Sequence, residues 1–354
     1  MLDQPFTPKF AIPPLDEAAA RAARARQAAL TKPAGSLGRL EALAVRLAAM
    51  TGEATPRIEH KVVLVFAADH GVTAEGVSAY PAEVTAQMVL NFVRGGAAIS
   101  VLSRFTHSRL KVVDVGVAAD LPAAPNLLKR KIALGTGNIA REPAMTREQA
   151  WAALAAGADV VAEEAEEGLD ILVLGEMGTG NTTAAAAMAC ALGGFPPEAI
   201  VGRGTGVDEA TRQHKVAVVQ RALARAAVSP TDPIGVLEQV GGYEIGSMAG
   251  AMLAAAQRRV PVLLDGFIAT AAAMLATALA PNIRHYLIAA HLSEEQGHGQ
   301  MLNFLGLAPL LRLEMRLGEG SGAALALPLV EAAARLHAEM ATFSEAGVAE
   351  KVAG

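Results

Sequence analysis

The sequence predicts an α/β protein: a mainly parallel sheet flanked by helices, with a smaller helical subdomain drawn from both chain ends. Three observations predict it. From Lys61 onward, short apolar runs alternate with longer alanine-rich segments, the order expected of parallel strands joined by helices. The short runs are apolar at nearly every position, as strands buried on both faces are. The two chain ends carry helical patterns that do not extend the sheet.

The elements follow in chain order. Residues 1–14 hold Pro5, Pro8, Pro13 and Pro14 and are expected to be extended. Helical patterns occupy 15–30 and 36–51, with Ser36 the expected N-cap of the second. Between them, Lys32-Pro33-Ala34-Gly35-Ser36-Leu37-Gly38-Arg39-Leu40 reads as a turn carrying basic groups. Strands are expected at 62–68, 110–117, 169–174, 260–264 and 286–290. Helices are expected at 82–104, 147–167, 181–193, 208–227, 244–258 and 267–280, with a last one over 322–343. The expected division is a large α/β catalytic domain, 58–322, and a small helical subdomain, 1–57 with 323–354.

Composition excludes several classes. The net charge is −5, which argues against general nucleic-acid binding, because phosphate affinity comes mainly from Lys and Arg. Cys190 is the only cysteine, so neither an intramolecular disulfide nor a cysteine-rich zinc site is possible. That usage suits a reducing cytoplasm, and no secretory signal pattern opens the chain. The longest apolar stretch, 267–280, is shorter than the roughly 20 residues a membrane span needs. It reads as a buried helix between Asp265-Gly266 and Pro281.

Two glycine-framed carboxylates carry the chemistry. The first is Gly175-Glu176-Met177-Gly178-Thr179-Gly180-Asn181-Thr182-Thr183, between an apolar run and an alanine run: strand, tight loop, helix. Glycines let backbone approach a ligand, and a helix N-terminus offers unpaired N–H groups to an anion. Glu176 beside such a loop suggests a phosphorylated substrate and proton transfer in one pocket. The pattern only approaches a dinucleotide fingerprint and lacks a P-loop lysine. The second frame is Gly318-Glu319-Gly320-Ser321-Gly322. Glu319 reads either as a solvated loop glutamate or as a general base, which must be unprotonated and within hydrogen-bond reach of its proton.

Gly202-Arg203-Gly204-Thr205-Gly206 opens the next helix, with Asp208 as its N-cap. Lys215, two turns in, is either a surface lysine or a phosphate counter-charge. Asp69-His70, Glu176, Asp265 and His291 end strands and could converge, because ligands of open α/β sheets bind beyond the carboxyl ends of the strands. Asp69, His70, His291, Glu294, Glu295 and His298 admit a metal reading. The spacing of His291, Glu294, Glu295 and His298 does not match two zinc-binding histidines four apart, and no metal is expected.

Taken together, the segments resemble the nicotinate-nucleotide–dimethylbenzimidazole phosphoribosyltransferase family. The likeness runs through Lys32-Pro33 with Gly35-Ser36-Leu37-Gly38, Ala68-Asp69-His70-Gly71-Val72, Tyr80-Pro81 with Val84-Thr85, and Gly135-Thr136 with Pro143-Ala144-Met145. It continues through both Glu176 and Arg203 loops, Asp265-Gly266-Phe267, His291 with Ser293 and Gly297-His298, and Arg316-Leu317-Gly318-Glu319-Gly320. It implies a Rossmann-like fold, a cytoplasmic homodimer, no cofactor, and transfer of phosphoribose from nicotinate mononucleotide to dimethylbenzimidazole. It further implies that Glu319 is the general base and Glu176 the second glutamate. Gly178, Thr179, Gly180, Asn181, Gly202, Arg203, Gly204 and Lys215 would hold the phosphoribosyl group. Tyr80, Met88 and Leu317 would line the acceptor pocket. Some family members carry serine and glutamine at the first two of these positions, so this chain presents a bulkier Tyr80 and an apolar Met88.

Overall fold

A computed structural model of the chain describes residues 10–204 and 206–349. Six parallel strands form one sheet: β1 Lys61–Ala68, β2 Arg109–Gly116, β3 Leu127–Lys129, β4 Ile171–Met177, β5 Val262–Leu264 and β6 Leu287–Ala289. Their order across the sheet is β3-β2-β1-β4-β5-β6. All eight residues of β1 are buried, as the continuous apolar run requires of a central strand covered on both faces. β1 pairs with β4 from Lys61 opposite Ile171 to Ala67 opposite Met177. Helix Tyr243–Gln257 packs on β1, β2 and β4 and along helix Arg147–Glu166.

The expected strands are present, with shifted ends. β4 starts at Ile171 because the Asp170 carboxylate accepts the N–H groups of Glu59 and His60, at 2.8 and 2.7 Å, and turns outward. It runs on to Met177, so Glu176 lies within the strand rather than in the following loop. The sixth strand, β3, is an addition to the expected set; it is three residues long at the sheet edge, too short to show a pattern. The single helix expected over 82–104 is two, Val84–Arg94 and Ala98–Phe105, because Gly95 takes a left-handed φ of 82° and caps the first. Asp208 caps its helix as expected, accepting from the Thr211 amide at 2.8 Å. Ser36 does not cap: the helix begins at Arg39 after Gly38. Glu41 instead staples that turn, taking the Leu37 amide at 3.0 Å and Lys32 Nζ at 2.9 Å.

The first helix, Glu17–Ala29, meets the end of helix Ser321–Glu339. Arg26 donates to the carbonyls of His337, Ala338 and Met340, which are free acceptors at the end of helix Ser321–Glu339. Gln27 Nε2 donates to His337 Nδ1 at 3.0 Å, and His337 Nε2 lies 2.8 Å from the Ala54 carbonyl, so the proton sits on Nε2. Helix Ser321–Glu339 reaches from this contact to β4 and β5. Among the described residues, no helix is long and apolar enough to cross a membrane.

One close approach tests the helical layer. A Cβ on Gly157 would stand 1.8 Å from the Ser247 carbonyl oxygen, and one on Gly250 would stand 1.9 Å from that of Leu154. Both obstacles are backbone, which cannot swing aside. Gly250→Ala is expected to destabilise the fold by about 1–3 kcal/mol, as overpacking does. Denaturant titration followed by circular dichroism checks this; an unchanged midpoint would contradict the packing.

Candidate active site

The strand order reverses between β1 and β4: β2 and β3 extend to one side, β5 and β6 to the other. In open α/β sheets the ligand crevice lies beyond the strand ends at this switch point. A cavity of about 380 Å³ lies there. Glu176, Gly178, Thr179, Gly180, Asn181, Gly204, Lys215, Tyr80, Met88, Leu317 and Glu319 all line it, joined by Asp265, His291, Glu295 and Arg316. Segments as far apart in sequence as those of Tyr80 and Arg316 thus line one cavity.

The Glu319 frame is held from three sides. Gly318, Glu319 and Gly320 all have positive φ, at 81°, 65° and 88°. A left-handed non-glycine residue costs on the order of 1–3 kcal/mol and persists only where its surroundings enforce it. Asp265, just beyond β5, accepts the amides of Gly320 and Ala323 at 3.1 and 3.0 Å and so caps helix Ser321–Glu339. The Gly318 carbonyl accepts from the Ser321 amide and hydroxyl. Gly175 of β4 packs on the Glu319 backbone, where any Cβ would stand 2.2 Å from the Glu319 carbonyl oxygen. The two glycine-framed carboxylates therefore touch through their backbones.

Both carboxyl groups are buried, and both are shifted towards neutrality. Burial pushes Glu319 up to about 7, with Asp265 adding to the rise and the Ile99 amide opposing it. Its Oε2 is buried and has no hydrogen-bond partner among the described residues. Burial pushes Glu176 up to about 8, reinforced by the charges of Glu244, Asp265 and Glu319. The Asn181 amide nitrogen donates to Glu176 Oε2 and opposes that shift.

Lys215 and Arg316 form a cationic end. Lys215 is buried, and its ammonium donates to Thr182 Oγ1 at 3.0 Å. Burial lowers its pKa and Glu295 raises it. Arg316 donates to the Gly204 carbonyl at 3.3 Å. The backbone hydrogen bonds narrow the expected phosphate cradle. The Thr179 amide donates to Thr85 Oγ1, the Asn181 amide to the Gly178 carbonyl, and the Gly204 amide to Glu295. These three N–H groups are engaged by the protein.

Gly202 and Arg203 are absent from the cavity lining. Arg203, in the loop before helix Glu209–Ala226, is exposed and pairs with Glu209 at 3.3 Å. Arg316 supplies the guanidinium instead. Its signal in the sequence was its place just before Leu317-Gly318-Glu319; Glu295 gave no comparable signal. Tyr80 and Leu317, both more than half exposed, form an apolar mouth with half-buried Met88. Gln87 faces solvent, one helical step away.

Of the buried histidines near the cavity, His298 is bonded at both ring nitrogens, whereas His70 Nδ1 and His291 Nδ1 have no hydrogen-bond partner among the described residues. His298 Nδ1 accepts the Ser293 amide at 2.9 Å, so its proton is on Nε2, 2.9 Å from Thr270 Oγ1. Burial drives its pKa down to about 3. His70 pairs with Glu244 at 2.7 Å behind the cavity, and the Asp69 carboxylate accepts the Ala118 amide. Among the described residues, no group of His, Cys, Asp and Glu is arranged to hold a metal ion.

A phosphoribosyltransferase family model matches residues 12–348. The chain belongs to that phosphoribosyltransferase family. It is 55% identical over 340 residues to a nicotinate-nucleotide–dimethylbenzimidazole phosphoribosyltransferase of Chloroflexus aggregans, covering 96% of each chain. The corresponding protein of Geobacter sulfurreducens is 52% identical over 337 residues, covering 95% of this chain and 96% of that one. The crystal structure of the Thermus thermophilus enzyme so named superposes with a TM-score of 0.91 at 50% identity, covering 95% of this chain and all of that one. For this phosphoribosyltransferase, the cavity just described joins buried acids to a cationic end within one Rossmann-like sheet.

Burial of Glu176 links the site to stability. Its pKa rises from 4.5 to about 8, so the folded protein keeps a proton that the unfolded chain releases. That contribution is fully present below pH 4.5 and is lost as pH rises through about 8. Glu176→Gln, a mimic of the neutral acid, is expected to raise Tm above pH 8 and leave it unchanged near pH 4.5. Equal shifts at both pH values, read by calorimetry, would contradict this.

Proposed function

We propose that this enzyme transfers the 5-phosphoribosyl group of nicotinate mononucleotide to 5,6-dimethylbenzimidazole, giving α-ribazole 5′-phosphate and nicotinate, for the lower ligand of cobalamin. One observation carries the reading: a buried, cavity-lining carboxyl group, Glu319, shares a pocket with Lys215 and Arg316. The phosphate goes to the cations, with Thr182 beside Lys215. The ribosyl carbon lies towards Glu176 and Asp265, whose carboxyl oxygens stabilise the positive charge that develops there. The flat acceptor enters past Tyr80, Met88 and Leu317.

The steps balance without a further reactant. One azole nitrogen attacks C1′ with its lone pair while the bond from C1′ to the pyridinium nitrogen breaks. The departing electron pair neutralises nicotinate's ring cation. The other azole nitrogen gives its proton to Glu319. Attack opposite the leaving group inverts the β-nucleotide to the α product. Proximity and base catalysis supply the acceleration, so the reading includes no metal or other cofactor.

The reading also takes the enzyme to be a cytoplasmic homodimer, with 58–322 as its catalytic domain and 1–57 with 323–354 as its helical subdomain. The docking of Arg26 and Gln27 on the C-terminal helix supports that division. The exposed apolar side chains Val101 and Phe105 on one short helix support a subunit contact. Tyr80 and Met88 favour a second acceptor reading, in which another azole, adenine or a phenol is preferred.

Product analysis with competing bases tests the activity and the acceptor together. The expected product is the α-anomer of the benzimidazole nucleotide; no release of nicotinate with any base would overturn the transferase reading. Glu319→Gln is expected to lower kcat by about 10²–10⁴-fold with substrate binding retained, the usual span for loss of a general base. In the unmodified enzyme the rate should fall as pH drops below about 7, where Glu319 becomes protonated. Near-normal turnover by the variant at neutral pH would remove Glu319 as the base. Lys215→Ala should raise the nucleotide KM by about 10–100-fold, the scale of a lost charge-assisted hydrogen bond, and change the acceptor KM little. Equal effects on both substrates would contradict the phosphate role.

A further inference from the structure

Glu295 lies on the segment after β6 and reaches the loop that opens helix Glu209–Ala226. It is 8% exposed, and both of its carboxylate oxygens lie 3.0 Å from the Gly204 amide. The same glycine's carbonyl accepts from Arg316 at 3.3 Å. Gly204 is thus held at both of its backbone polar groups, by an anion on its N–H and a cation on its C=O.

That glycine forms one side of the cationic end. A Cβ placed on Gly204 would stand 3.1 Å from Thr182 Oγ1 and 3.2 Å from Lys215 Nζ. Its φ of +52° needs no strain from a glycine. Two residues earlier, a Cβ on Gly202 would stand 2.3 Å from Glu295 Oε1, so the carboxylate fills the space a side chain would take. Glu295 is itself anchored: its amide donates to Ser293 Oγ at 3.2 Å and its carbonyl accepts the His298 amide at 3.2 Å. Burial raises its pKa, and Lys215, the Gly204 amide and Arg316 offset only part of that rise.

A buried carboxylate beside the cations of a phosphate site is at first sight counterproductive, because it cancels part of their charge. Its bonding shows what it contributes in return. We propose that Glu295 is a positioning residue, which clamps the Gly204 backbone so that Lys215 and Arg316 face the nucleotide phosphate in fixed geometry. The inference rests on the reading that this end of the cavity takes that phosphate. Glu295 touches no reacting atom, and its effect is confined to the phosphorylated substrate.

The test compares Glu295→Ala and Glu295→Gln with the unmodified enzyme, on nicotinate mononucleotide and on its phosphate-free nucleoside. Alanine removes the acceptor of the Gly204 amide and is expected to raise the nucleotide KM about tenfold or more, with kcat and the acceptor KM within about twofold. Glutamine keeps one carbonyl oxygen at that place and should recover most of the loss. The turnover of the nucleoside should not change in either variant. Should Glu295→Ala not fold, Gly202→Ala makes the same test by pushing the carboxylate off the amide. An unchanged nucleotide KM, an equal loss with the nucleoside, or a glutamine variant as impaired as alanine would overturn the positioning role. If the unmodified enzyme itself transfers phosphoribose to no base, the functional reading fails; if it is active and only the variants disagree, the inference alone fails.

Discussion

The site depends on the backbone contact between Gly175 and Glu319. One residue is in the central strand β4, the other in the turn before the C-terminal helix, and no side chain fits between them. Their approach sets how near the helix comes to the sheet. Asp265 makes it durable by accepting two amides at the head of that helix, from the end of the adjacent strand β5. Helix Ser321–Glu339 is in turn capped at its far end by Arg26, so the N-terminal helices brace the element that presents Glu319. A carboxyl group with a left-handed φ of 65° can be held in place because rigid elements surround it.

Charge is partitioned within one cavity. Glu176, Asp265 and Glu319 gather where three segments converge on the switch point of the sheet. Burial and their mutual repulsion keep Glu176 and Glu319 near neutrality. Lys215 and Arg316 occupy the other end, where Glu295 moderates them. In the proposed reading, the cationic ring of the donor meets carboxyl oxygens at one end of the cavity and its phosphate meets the cations at the other. Burial makes each of these interactions stronger than it would be in water.

The side proposed for the acceptor is built differently. Tyr80 and Leu317 are exposed, and Met88 is half-buried on a helix that only borders the cavity. These side chains can change without disturbing strand packing, whereas Glu176 and Gly175 cannot. In the proposed reading, choice of acceptor is therefore separable from the scaffold and from the residues proposed for the donor.

The sequence by itself determined the strand–helix alternation, the sheet's burial on both faces, and the two glycine-framed carboxylates. These are local properties: hydrophobic runs, turn-forming glycines and a capping Asp208 declare themselves within a few residues. The edge strand Leu127–Lys129 and the break at Gly95 escaped that reading, one because it is too short for a pattern, the other because Gly95 and Gly96 interrupt an otherwise continuous helical pattern. Only the tertiary structure decided that Lys215 is buried, that Arg316 rather than Arg203 lines the cavity, and that Glu295 reaches the Gly204 amide. Those facts depend on contacts between residues far apart in the chain. A charged side chain carries no mark in sequence of whether its helix will turn it inward; the packing of the sheet's carboxyl end settles that.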